Sequence, residues 1–285
     1  MSETLTRECP AKVNLLLRVL AREENGYHGI ESVFCRVGLS DTLEVSRAAS
    51  GITLDVQGAD VGPVEKNLAY RAADAVMAAT GRRFGVAMTL TKRIPAGGGL
   101  GGGSSDAAQA LHAVNQLAGN AVPQSELLQI GYRIGADVPF FVSGAPLALG
   151  WGHGQRLLSL PPLPPAPALL LFPGIPVPTG EAYGWVDEIR SGSTPRGSVT
   201  LDLSVLSNWS DLARVGGNDF EAAVFGKYPA IKGAFEALAL TCPFLCRMSG
   251  SGSTLFAVYR TPADRDDARM QLGSKHGQLV ATTLG

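Results

Sequence analysis

Apolar side chains change their spacing once between residues 85 and 118. Val86, Met88, Leu90 and Ile94 share one parity while Ala87, Thr89, Thr91 and Arg93 hold the other. That alternation predicts a half-buried strand. Ala107, Ala108, Leu111, Val114, Leu117 and Ala118 then recur at helical spacing, which predicts an amphipathic helix. Residues 11–19 and 30–45 also read as strands, and 68–80 and 127–134 as helices. Further on, 168–172 is a short apolar strand, helices are predicted near 181–190 and 229–240, and a strand near 254–259. Residues 191–198 read as a polar, glycine-containing loop. The two element types do not alternate regularly enough for a barrel or a doubly wound sheet, so the expected class is α+β. Pro161-Pro162-Leu163-Pro164-Pro165-Ala166-Pro167 is the clearest break in the pattern. Prolines cannot serve a central strand and make a stiff connector. The expected domains are therefore 1–160 and 161–285.

The predicted strand and helix of 85–118 frame six glycines in the seven positions Gly97 to Gly103. Ordering such a run is costly, because glycine loses the most conformational freedom on folding. A backbone that wraps closely around a ligand needs it, and phosphate at a helix N-terminus suits it best. Ser104 and Ser105 stand where the helix is expected to begin, as candidate caps. The plain alternative is a flexible linker, which is seldom framed this tightly. A Walker loop requires lysine after its last glycine. Here Ser104 follows Gly103. Gly97, Gly99 and Gly102 match the dinucleotide spacing, but residues 117–122 hold no acidic residue where that fingerprint expects one.

Four other segments carry candidate chemistry. Lys12 and Asn14 share one face of an apolar strand, either as an edge pattern or as fixed positive charge for a phosphoryl group. Asp137 lies among small and apolar residues in Gly135–Phe141, either as a helix cap or as a carboxylate accepting a substrate proton. Ser249-Gly250-Ser251-Gly252 is a second glycine-serine loop before a strand. Gly26-Tyr27-His28 pairs an aromatic ring with one of four histidines, and Thr179 and Tyr183 open a predicted helix.

Composition narrows the classes. With 45% hydrophobic and 17% charged residues, 285 residues can bury a substantial core. A net charge of −1 leaves no electrostatic footprint for nucleic acid. No apolar run approaches the ~18 residues of a membrane span, and no signal peptide opens the chain. Cys9, Cys35, Cys242 and Cys246 do not form a zinc set and are expected as free thiols in a cytoplasmic protein.

Pro10–Leu15, the loop Pro95–Ser105 and Ser249–Gly252 together resemble the three sequence motifs of the GHMP small-molecule kinases. Gly26-Tyr27-His28, Gly135–Phe141, and Pro173-Gly174 followed by Thr179 and Tyr183 are similar to the branch that phosphorylates a cytidyl-linked methylerythritol. The resemblance spans residues 10–258. It implies a two-domain α+β fold with the active site in the interdomain cleft, and a place in the non-mevalonate route to isoprenoid precursors. By that likeness Pro95, Ala96, Gly97, Gly98, Gly99, Leu100, Gly101, Gly102, Gly103, Ser104 and Ser105 hold the phosphates of ATP, with Asn67 near the adenine. Lys12 and Asp137 are the implied catalytic pair, Asp137 taking the proton from the 2-hydroxyl. Tyr27 and Tyr183 sandwich the cytosine, His28 and Asn14 hydrogen-bond the cytidine portion, and Thr179 borders that pocket. Mg²⁺ is expected with ATP, the Ser104 or Ser105 hydroxyl being the candidate ligand. The implied partners are two small molecules, neither nucleic acid nor membrane, and the implied state is a monomer or weak homodimer. Other GHMP kinases, acting on homoserine, mevalonate or a sugar, are the alternative. A non-catalytic nucleotide-binding regulator is a third reading, disfavoured by the presence of both Lys12 and Asp137.

Overall fold

The computed structural model describes residues 4–24, 26–59, 62–82, 84–190 and 201–285. The expected loop at 191–198 lies outside them. Contacts divide the chain into two compact units, each discontinuous in sequence.

The first unit comprises Met1–Ala11, Leu39–Ala96 and Gly101–Ala145. Along the chain the elements are β1 (Thr4–Arg22) and β2 (His28–Ala48), whose residues are divided between the two units, and then β3 (Ile52–Gln57), α1 (Leu68–Ala79), β4 (Gly85–Thr91), α2 (Gly102–Leu117), α3 (Gln124–Ile134) and α4 (Val138–Ser143). β4 pairs antiparallel with β2, Thr42 opposite Thr91 and Ala48 opposite Gly85, and parallel with β3. Its apolar parity is realised: Val86, Met88 and Leu90 are buried, with Ala87, Thr89 and Thr91 half-buried between them. In α2 the buried residues include Ala107, Ala108, Ala110, Leu111, Ala113, Val114 and Leu117. Burial that extends beyond one stripe marks an interior helix.

Two caps in this unit differ in kind. α2 begins one turn earlier than the serines suggest. Its N-cap is Gly101, left-handed at φ 69°, with no side-chain cap, so Ser104 and Ser105 lie inside the first turn. A residue with positive φ is accommodated best by glycine, which is why the chain turns there and not at serine. Asn67 is a true N-cap, its side-chain oxygen accepting from Ala69 N–H at 2.9 Å. Replacing Asn67 by Ala is expected to cost about 1 kcal/mol of stability, read as a lower thermal midpoint.

The second unit comprises Lys12–Gly38, Gly97–Leu100 and Pro146–Gly285. Its further elements are β5 (Leu147–Gly152), β6 (Arg156–Leu160), β7 (Ala166–Phe172), α5 (Thr179–Arg190), α6 (Leu203–Leu206), α7 (Trp209–Val215), α8 (Phe220–Lys227), α9 (Pro229–Ala239), β8 (Leu245–Met248), β9 (Leu255–Val258), α10 (Pro262–Leu272) and β10 (Gln278–Leu284). β5 pairs with β2 and β6, and the order β10-β7-β9-β8 is antiparallel throughout. Leu169 and Leu171 of β7, Leu255 and Ala257 of β9, Val224 of α8, and Ile231 and Leu238 of α9 share one fully buried core. Helices gathered on an antiparallel sheet give the α+β class. The proline run lies within this unit: 161–165 join β6 to β7, while Ala166 and Pro167 are the first residues of β7 itself, Pro167 opposite Thr283 of β10. The expectation that proline is kept out of a central strand therefore fails at that strand's end. Residues without an N–H close β6 there and delay pairing until Ala166.

Candidate active site

Residues 97–100 pack against the second glycine-serine loop within the second unit. A Cβ built on Gly99, at φ 79°, falls 2.2 Å from Ser249 O, and one on Gly250 falls 3.3 Å from Gly99 Cα. The two backbones meet directly, as only glycines allow. Ser249 Oγ donates to Gly99 O at 2.9 Å, and Thr254 N–H to Gly98 O at 3.3 Å.

Lys12 is anchored at that junction. Its ammonium donates to Gly99 O at 3.0 Å and to Asn14 Oδ1 at 2.8 Å, and lies 5.7 Å from the Phe34 ring centroid. Asn14 Oδ1 also accepts from Gly250 N–H at 3.0 Å, while its Nδ2 donates to Ser32 Oγ at 2.7 Å. The shared face of the strand is therefore a working network, and Asn14, 2% exposed, ties Lys12 to both loops. Asn218 completes the support, its Nδ2 donating to Met248 O and Gly250 O at 2.7 Å each.

A second cluster surrounds His28. Its Nε2 lies 2.9 and 3.0 Å from the two Asp187 carboxylate oxygens. Tyr183 stacks on the imidazole, centroids 5.1 Å apart and planes 13° from parallel, and meets Phe220 edge-on. Tyr183 and Asp187 are four residues apart on α5, so both face His28. Tyr27 is 69% exposed and tilted against His153 at 5.7 Å. Thr179 Oγ1, at the start of α5, is 2.8 Å from Ser251 Oγ of the second loop.

In the first unit, Asp137 precedes α4 at the N-cap position, yet its side chain makes no cap hydrogen bond. It is half-buried. Ser104 is half-buried and Ser105 fully buried in the first turn of α2.

The same unit holds a buried charge cluster that sequence reasoning missed. Lys92 Nζ donates to Asp41 Oδ2 and, at 2.6 Å, to Asp106 Oδ2. Burial alone would depress the Lys92 ammonium, but the Asp106 and Asp41 carboxylates outweigh it and hold it raised. Burial pushes the Asp106 carboxyl up to about 7, against the pull of Lys92 and with the repulsion of Asp41. Folding thus strengthens proton binding at Asp106, and the stability contributed by the protonated acid is lost as pH rises from about 4 towards 7. The isosteric Asp106→Asn variant is expected to gain stability relative to the parent over that interval, measured by urea unfolding at pH 4, 6 and 8. Parallel curves would contradict the shift.

Among the described residues no group of three or more His, Cys, Asp and Glu is arranged to hold a metal ion. All four cysteines are free.

The family model for the GHMP kinases N terminal domain matches residues 67–145, and that for GHMP kinases C terminal matches 201–278. The 4-diphosphocytidyl-2-C-methyl-D-erythritol kinase of Ralstonia nicotianae is 40% identical over 264 residues, covering 90% of this chain and 86% of its own. The chain belongs to the GHMP kinases. Within the family, this GHMP kinase is also 36% identical to the enzyme of the same name from Citrifermentans bemidjiense, over 95% of each chain. A crystal structure of 4-(cytidine 5'-diphospho)-2C-methyl-D-erythritol kinase superposes with a TM-score of 0.83 at 38% identity, covering 99% of both chains. An L. major mevalonate kinase in complex with R-mevalonate has a TM-score of 0.71 at 13% identity, a likeness of fold alone.

For a GHMP kinase the arrangement accounts for each of the three motifs. The first supplies Lys12 and Asn14, the second the glycine loop and helix start, and the third the backbone against which Gly99 rests. Sequence reasoning did not find Asp41, Lys92, Asp106, Asp187 or Asn218. Only Asp187 had a signal: its i,i+4 spacing from Tyr183 on a predicted helix.

Proposed function

We propose that this GHMP kinase transfers the γ-phosphoryl group of ATP to the 2-hydroxyl of 4-diphosphocytidyl-2-C-methyl-D-erythritol, giving the 2-phosphate and ADP, in the non-mevalonate route to isoprenoid precursors. The observation that carries this reading is similarity over the whole length to enzymes of that name, 38% identical at a TM-score of 0.83 for the solved structure. The His28–Tyr183 stack supports it, since a planar ring surface suits a base and has no use with a small aliphatic alcohol.

In this reading residues 95–105 hold the ATP phosphates by backbone amides at the start of α2, where the helix dipole favours negative charge. Asn67 borders the adenine with the amide nitrogen that its cap bond leaves uncommitted to Ala69. Lys12, fixed by Gly99 O and Asn14, offsets charge on the transferring group. Asp137 accepts the proton of the 2-hydroxyl. The freed oxygen bonds to the γ-phosphorus as the bond to the β–γ bridging oxygen breaks, and ADP departs with that electron pair. Tyr27 and Tyr183 take the cytosine ring between them, His28 and Asn14 hydrogen-bond the cytidine portion, and Thr179 borders that pocket.

Mg²⁺ binds nucleotides through phosphate oxygens and water with one or two protein oxygens. A serine hydroxyl in the first turn of α2 fits that need without an acidic cluster, and Ser104 or Ser105 is the ligand we assign. Bound there, the ion would neutralise charge on the phosphates. We further place the protein in the cytoplasm as a monomer or weak homodimer. No helix among the described residues is long and apolar enough to cross a membrane.

The test is ADP release from ATP by the purified protein with each candidate alcohol. Turnover with the cytidyl substrate is expected. Turnover with mevalonate or homoserine, and none with the cytidyl substrate, would replace this reading.

A further inference from the structure

We propose that Lys92 is a positioning residue that clamps the two ends of the glycine loop together through Asp41 and Asp106. Three observations in the first unit carry it. Asp41, fully buried on β2, receives the strand-side end of the loop: its Oδ1 accepts from the backbone N–H groups of Arg93 and, at 2.8 Å, Ile94. Asp106, 2% exposed in the first turns of α2, is the helix-side end. Lys92 Nζ donates to both carboxylates. The stretch from Ile94 to Asp106 is thus a loop closed at its base by one ammonium.

The clamp also lies directly under the helix start. A Cβ added to Gly102, the first residue of α2, would meet Ile94 Cγ2 at 3.0 Å and Lys92 Nζ at 3.4 Å. The backbone whose amides open α2 therefore rests on the clamp itself. A buried ion cluster adds little stability over apolar packing, so its contribution is sought in geometry. Six glycines between fixed ends leave the loop many conformations, and holding those ends removes the widest of them. Preorganised amides bind an anion without an ordering cost at the moment of binding.

The proposal rests on the reading of residues 95–105 as the ATP phosphate site. Lys92→Met would strand two buried carboxylates, so the working variant is Asp106→Ala, which leaves a neutral Lys92–Asp41 pair. ADP affinity by calorimetry and KM for ATP are expected to weaken tenfold or more, while KM for the alcohol substrate stays within twofold. Amide hydrogen exchange across 95–105 is expected to accelerate. Asp106→Asn, which retains an acceptor oxygen for Lys92, is expected to stay within threefold of the parent. If Asp106→Ala binds ADP and exchanges like the parent, with only a lowered melting temperature, the cluster is structural and the clamp is overturned. If the parent itself fails to bind ADP, the phosphate-site reading falls, and the clamp with it.

Discussion

Asp137→Asn is expected to lower kcat by about 10²–10⁴, the usual contribution of a positioned general base, while ATP binding stays at the parent level. The substitution keeps shape and removes the ability to hold a proton. It also separates two explanations of this residue that the sequence leaves open. Asparagine caps a helix about as well as aspartate does, so a cap role alone would leave both kcat and stability at the parent level, whereas the base role lowers kcat in a folded protein. Single-turnover kinetics with saturating ATP, together with urea unfolding of the same preparation, read both effects. A kcat near that of the parent would remove Asp137 from the role of base.

Gly99→Ala is expected to lower kcat/KM for ATP by about 10² or more, the scale reached when reacting groups are displaced by about 1 Å. At φ 79° an alanine is strained by roughly 1–2 kcal/mol. The larger cause is contact. The new Cβ would lie 2.2 Å from Ser249 O and 3.3 Å from Gly252 O, both main-chain atoms that cannot rotate aside. Moving residue 99 loosens the two bonds its carbonyl accepts, from Lys12 Nζ and Ser249 Oγ. Gly119→Ala, outside the loop, is the control, with nearly the same φ, 78°, and no atom within 4 Å of its Cβ. It should lose less than tenfold. Equal losses at the two positions would show that strain alone matters and that contact with the second loop does not.

Much of the fold was legible because its elements carry local periodicity. The alternation in 85–94 became β4, and the helical spacing after it became α2. The predicted 127–134, 181–190 and 229–240 helices became α3, α5 and α9 with small shifts at the ends. Caps were less legible, because the residue that starts a helix is chosen by backbone geometry as well as side-chain type. Gly101 precedes α2 where serine was expected, since the chain enters there with positive φ.

The division into units was beyond local reading. The second unit gathers residues 12–38 and 97–100 with 146–285. The proline run marks a stop between two strands of one unit, a local property that says nothing about which distant segments pack together.

For the candidate site, the sequence by itself supplied the residue types: a glycine-rich loop, a lysine and an asparagine on one strand face, an isolated aspartate and an aromatic-histidine pair. Residue type and spacing suffice for that, because each motif is contiguous. Tertiary structure decided the partners. Lys12 is held by Gly99 O, 87 residues away, and Asn14 by Gly250, 236 residues away. Asp187 faces His28 across 159 residues, and Lys92 joins Asp41 to Asp106. These side chains are ordinary charged and polar residues in their local segments. Within each unit, burial leaves each donor and acceptor the partners that folding brought to it.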